Sequence, residues 1–256
     1  GQQGLMRRVD FHKANPDPVI DRKIRLSLRY SVGDAATFSV MIGMAESYFQ
    51  AFALFLKATV FQVGIVYTLP MFLASVMQLF STPVVRLLRS RKSIAVVSGA
   101  VRSVLFVPLI LSYFMGPARI GSLLTLISLY FALNCLPAPA WTSWMLELVD
   151  ENSRGLFFSR RNRMANLIAL CGIIGAGLIL EAFARTEMLG FTIIFSVAAL
   201  GSVASTVLLS AKYDTPYHEP HGVRRDFLRL IGEMVQTNFG RFVLYNVVLH
   251  FAVFFA

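Results

Sequence analysis

Residues 33–56 are apolar over 24 positions, yet they carry Asp34, Glu46 and Gln50. A carboxylate in hydrocarbon costs about 3 kcal/mol unless it is protonated, paired or facing water. Glu46 is therefore a candidate for solute binding or proton coupling, and equally for a hydrogen bond that packs one helix on another. At 100° per residue, Ser39, Gly43, Glu46 and Gln50 share a stripe, while Asp34 lies about 120° away from Glu46. Glu46 and Gln50 are expected to form a cavity wall, and Asp34 to serve as a gate or cap. Arg102 is the ninth residue of another apolar run, about 12 Å deep at a rise of about 1.5 Å per residue. It could pair with Glu46, pair with an acid elsewhere, or bind an anionic solute, and structural pairing is the expectation.

Further polar groups fall in later apolar runs. Asn134 shares a stripe with Trp141 and Met145, and Asn246 lies one turn from His250. Histidine titrates near neutral pH, so His250 joins Glu46 as a candidate for proton coupling. Glu147 stands near a basic cluster that begins at Arg154, and Arg91 and Lys92 close another. These four residues are expected to form ion pairs at a gate. Phosphate loops, metal-ligand spacing, paired catalytic carboxylates and nucleophile constellations are all missing from the sequence, so neither an enzyme nor a cofactor is expected. Cys135 and Cys171 lie in apolar runs and read as small packing residues.

The elements that must hold these groups are membrane helices. The chain is 56% hydrophobic and 15% charged, with a mean hydropathy of +0.63. Soluble domains average about 25% charged residues. Apolar runs occupy 33–56, 60–82, 94–114, 120–149, 164–184 and 189–211, with a shorter one at 242–256. A span needs about 20 residues. The reading is an all-α polytopic bundle: a basic tail (1–30), six spans (31–211), a linker with an amphipathic helix (212–241) and the start of a seventh span (242–256). The tail could lie along an anionic membrane surface or be a solvated lead-in. Pro70 predicts a kink, Pro137 and Pro139 a break, and Gly172, Gly175 and Gly177 a close helix approach. The sixth span is the most uniformly apolar and is expected to face lipid.

The net charge of +10 does not point to nucleic acid, because the basic residues lie between the apolar runs. Twenty of the 24 fall in the tail and in 86–92, 154–163 and 212–241. Only Lys57, Arg119 and Arg185 fall in the alternate turns. This bias predicts a cytoplasmic N-terminus.

Six spans in short-turned pairs, a basic loop after the second, a long loop after the sixth and a seventh span beginning resemble the N-terminal half of a major facilitator superfamily transporter. That family's loop between the second and third helices reads G-x-x-x-D-[RK]-x-G-R-[RK]. The matching window, 83–92, keeps only Arg91-Lys92, with Pro83 and Ser90 at the glycines and Leu87 at the aspartate. Residues 144–163 are similar to the loop between the fourth and fifth helices of many bacterial members. No proline follows Gly172, Gly175 or Gly177, so the antiporter pattern is missing. The resemblance implies a bacterial inner-membrane location and a central cavity lined by the first, fourth and seventh helices. It implies alternating-access transport of a small organic solute, with the C-terminal half of the carrier expected beyond Ala256. A transporter-like assembly or scaffold subunit without transport is the alternative.

Overall fold

In lipid every backbone N–H and C=O must be satisfied within the chain, which long apolar runs achieve as helices. The computed structural model describes residues 18–215 and 237–255. Among these, eleven α-helices are joined by turns and short 3-10 segments, and no strand occurs. Six helical stretches are long and apolar enough to cross a membrane: Arg22–Phe55, Val60–Gln78, Arg91–Phe114, Gly116–Leu148, Glu151–Ala182 and Glu187–Ser210. This is the architecture of an integral membrane protein. The chain divides after Tyr217 into two units, and the six spans belong to the first. The helix of the second unit, Asn238–Phe255, covers residues 242–255 of the expected seventh run. The expected tail through residue 17 and the amphipathic stretch at 224–235 lie outside the described residues.

Helix α1 (Pro18–Met44) passes without a break from the basic segment into the first span. Arg22, Lys23, Arg25 and Arg29 therefore ride on the span's own helix. The expected single helix over 33–56 does not form, because a 3-10 turn at Glu46–Tyr48 separates α1 from α2 (Phe49–Phe55). This turn presents Glu46 to a neighbouring tyrosine and returns Phe49 and Phe52 to the core. Helix α3 (Val60–Gln78) runs through Pro70. The first basic loop is itself mostly helical, as α4 (Ser81–Leu88), which ends at Arg89 with φ 51°. The third span is α5 (Arg91–Val104) and α6 (Phe106–Leu111).

The fourth span breaks where its prolines require. Helix α7 (Arg119–Cys135) ends just before Pro137, and α8 (Ala138–Leu148) starts just after it. Helix α9 (Arg154–Ala182) starts earlier than expected, so the basic cluster at 154–163 is helix and not loop. Helix α10 (Glu187–Ser210) is the sixth span, and the helix of the second unit is α11. Contrary to the lipid-facing expectation, α10 buries Gly190, Phe191, Ile194, Phe195, Ala198, Gly201, Ser202 and Ser205. Hydropathy could not separate the two outcomes, because lipid tails and a helix interface are equally apolar. The small residues on α10 are what allow neighbouring helices to close in.

Packing follows a pattern. The main contacts set the first span against the fifth and sixth, the second against the fourth, and the third against the fourth and sixth, with smaller contacts of the first on the second and of the fifth on the sixth. Exchanging spans 1, 2 and 3 for 4, 5 and 6 maps the main contacts onto one another, but not the two smaller ones. The first span is gripped on two sides. A Cβ on Gly43 would collide with the Ala169 carbonyl oxygen and stand 2.9 Å from Gly172 Cα, and one on Gly201 would stand 2.9 Å from the Thr37 carbonyl oxygen. The expected close approach at Gly172 is present.

The two ends of the bundle differ. Phe49, Phe52, Phe106, Tyr130, Phe131, Phe191 and Phe195 form a buried aromatic core, with Phe52 and Phe195 in edge contact at 5.0 Å. The opposite end, where α1 begins, carries the basic residues and the polar site.

Candidate functional site

At the basic end, the first, third, fourth and sixth spans and the start of α9 enclose a cavity of about 240 Å3. Its polar wall is Asp34, Arg102, Asn134, Trp141, Arg161 and Ser205. Asp34 is only 4% exposed. Its Oδ1 accepts from Ser205 Oγ at 2.6 Å and its Oδ2 from Lys212 Nζ at 2.9 Å. Arg161 Nη2 stands 3.8 Å from the same Oδ2. Close packing at Gly201, one turn before Ser205, brings α10 near enough for the first of these bonds. A buried carboxylate in this position is held by charge and by hydrogen bonds together.

Arg102 reaches the cavity from α5. Its Nε donates to Ser202 Oγ at 3.3 Å and its Nη1 to Asn134 Oδ1 at 2.9 Å. The guanidinium lies 4.9 Å from the centre of the Phe38 ring. Arg161 donates through Nε to the Ser31 carbonyl at 3.2 Å and stacks over Trp141 at 4.6 Å. Both guanidiniums are thus oriented mainly by neutral partners. Sequence spacing placed Asn134 and Trp141 on one stripe, and the structure brings both to this cavity.

The first-span stripe does not hold together. Glu46 accepts from Tyr130 Oη at 3.0 Å, while Gln50 is exposed on the surface of the unit. Asp34 and Glu46 have separate partners, in keeping with their angular separation. In the second unit, Asn246 Nδ2 donates to the Phe242 carbonyl of its own helix at 2.9 Å. His250 lies on α11, and its side chain is outside the described residues.

A short segment after α10 ties the basic end together. The Lys212 carbonyl accepts from Lys92 Nζ at 2.8 Å, and the Tyr213 N–H donates to Ser27 Oγ at 2.7 Å. Trp144 Nε1 donates to the Tyr213 carbonyl at 3.1 Å, and Ser90 Oγ donates to Asp214 Oδ2 at 2.8 Å. Glu147 pairs with Arg91 and accepts from Thr215 Oγ1. Its partner thus comes from the start of the third span and not from the adjacent 154–163 cluster. Arg154 donates to the carbonyls of Leu146 and Val149. It satisfies the C-terminal end of α8, where helical carbonyls lack partners. Burial pushes the Lys212 ammonium below the ordinary lysine pKa, and the Asp34 carboxylate opposes that shift.

Tyr130, Arg161, Ser205 and Lys212 were not singled out by sequence. Tyr130 and Ser205 sit in apolar runs where a hydroxyl barely changes hydropathy. Lys212 did carry a signal: Asp34 and Lys212 stand at the same end of their spans if the two helices are antiparallel. Among the described residues no group of three or more metal-ligating side chains occurs. No family model, no curated protein and no solved structure matches this chain.

Proposed function

We propose that the chain is the first six-helix bundle of a major facilitator type carrier, followed by the start of a second bundle, and that it moves a small organic solute by alternating access. The observation that carries this reading is the packing of the six spans as two triplets exchangeable in their main contacts, with a polar cavity at their junction. Consecutive spans run in opposite directions, so the triplets are inverted relative to each other, as in the nested repeats of such carriers. The basic bias supports a cytoplasmic polar end, and the family resemblance supports a bacterial inner membrane. The ties among Asp34, Lys212, Arg161, Arg91 and Glu147 then close the cytoplasmic end, and the aromatic core closes the other.

Glu46 and Tyr130 form a proton-exchanging pair at the break in the first span. In proteoliposomes of the full-length protein, Glu46→Gln is expected to abolish the pH dependence of uptake while leaving solute-induced thermal stabilisation intact. Unchanged uptake and unchanged pH dependence in that variant would remove Glu46 from the mechanism. The alternative, a non-transporting scaffold subunit, draws on the loop at 83–92, which lacks the family's aspartate. Co-purification in fixed ratio with a large complex, with no solute-induced stabilisation, would decide for it.

A further inference from the structure

We infer that the solute recognised in the cavity carries an acid group, a carboxylate or a phosphate, held between Arg102 and Arg161. This rests on the carrier reading and specifies its solute class. Asp34 is the one carboxylate among the residues that line the cavity. Its charge is already met at 2.9 Å by Lys212, an ammonium with no exposed side-chain surface. Two guanidiniums therefore face a cavity lined by one acid, and that acid already holds an ammonium. Among the described residues, Arg102, 4% exposed, bonds to Ser202 and Asn134 and stacks on the Phe38 ring, while the Asp34 and Glu46 carboxylates act on it only through space, without an ion-pair contact. Arg161 is held by a backbone carbonyl and the Trp141 ring, with Asp34 at the far limit of an ion pair. Glu46, the nearest other acid of the first span, is engaged by Tyr130 and does not line the cavity.

A buried cation partnered by neutral groups is costly, and an entering anion relieves that cost. Guanidinium also presents planar paired donors that match carboxylate and phosphate oxygens. The cavity, about 240 Å3, has room for a small acid or for the acid group of a larger molecule. The apolar part of its wall, Phe38 and Pro137 among others, suits a short carbon backbone.

The test is thermal unfolding of the purified full-length protein in neutral detergent. Succinate and inorganic phosphate are compared with chloride at equal ionic strength, with neutral succinamide, and with the cation putrescine. Succinate or phosphate is expected to raise Tm by about 5 °C or more at saturation, and succinamide and putrescine by nothing. Arg102→Gln is expected to abolish the shift. Arg161→Gln, at a less deeply buried position, provides a second variant with the same expectation. Nanodiscs of phosphatidylcholine with and without phosphatidylglycerol separate the sources of the acid group. An Arg102-dependent shift from phosphatidylglycerol alone assigns the site to a lipid phosphate, and a shift from soluble anions assigns it to a free solute. Failure of both anions and of phosphatidylglycerol to stabilise, or equal stabilisation by succinamide or putrescine, overturns the inference. Solute-dependent movement of the cavity between the two membrane faces would in that case leave the carrier reading standing.

Discussion

Asp34→Asn is expected to cost about 3–5 kcal/mol of stability, the range for removing one partner of a buried ion pair. The substitution keeps the size of the side chain and removes the carboxylate paired with Lys212, which is held at 2.9 Å with no exposed side-chain surface. Arg161 loses its acid as well. On a bundle of this size the change corresponds to a fall in Tm of about 10 °C. The variant should recover part of the loss as pH rises. Burial already depresses the Lys212 pKa, and Asp34 opposes that depression. Without Asp34 the folded-state value falls further while the unfolded value stays. Between the two values the unfolded chain binds the extra proton, so stability increases with pH. Combining Asp34→Asn with Lys212→Met should restore most of the wild-type Tm, because a neutral pair leaves no charge uncompensated. Thermal unfolding in detergent across pH 7 to 10 checks all three statements. Equal Tm values for wild type and Asp34→Asn would show that the pair contributes nothing.

The second large effect is expected at Gly43. The first and fifth spans meet there backbone to backbone, and a Cβ would strike the Ala169 carbonyl oxygen, which has no rotamer to yield. Gly43→Val must push the helices apart over a length that includes the Gly172 contact. Overpacking of this kind costs about 1–3 kcal/mol where side chains can adjust, and the upper end is expected because the neighbours are backbone. Gly64→Ala provides the contrast. It lies in a helix with nothing within 4 Å of a new Cβ, so stability should hold or rise by up to about 1 kcal/mol from helix propensity. A Gly43→Val variant as stable as Gly64→Ala would mean that the first and fifth spans are not in close contact.

Span number and all-helical class were legible because a bilayer imposes length and backbone satisfaction on each apolar run. The break at Pro137 and the close approach at Gly172 were legible for equally local reasons: proline removes a donor, and glycine removes a Cβ. The burial of α10 was not, because packing against helices and packing against lipid select the same residues. The interruption at Glu46–Tyr48 was not, because it answers to Tyr130, 84 residues away. Asp34 and Lys212 are 178 residues apart, and Arg91 and Glu147 also lie on different spans. Sequence marked Asp34, Arg91, Arg102, Asn134 and Glu147 as polar groups needing partners. Only the packing of the spans decided which partner each received, and it gave Asn134 to Arg102 and left Gln50 apart from Glu46.

Whether the cavity changes sides is best measured by thiol labelling at Ala95, a buried residue of its wall. Ala95→Cys is introduced into the full-length protein carrying Cys135→Ser and Cys171→Ser. A membrane-impermeant thiol reagent is then applied to right-side-out and to inverted vesicles. An alternating-access carrier is expected to label from both faces, with one solute or one pH change accelerating labelling from one face as it slows labelling from the other. Labelling from a single face under every condition, or none from either, would contradict transport and leave a static bundle in the membrane.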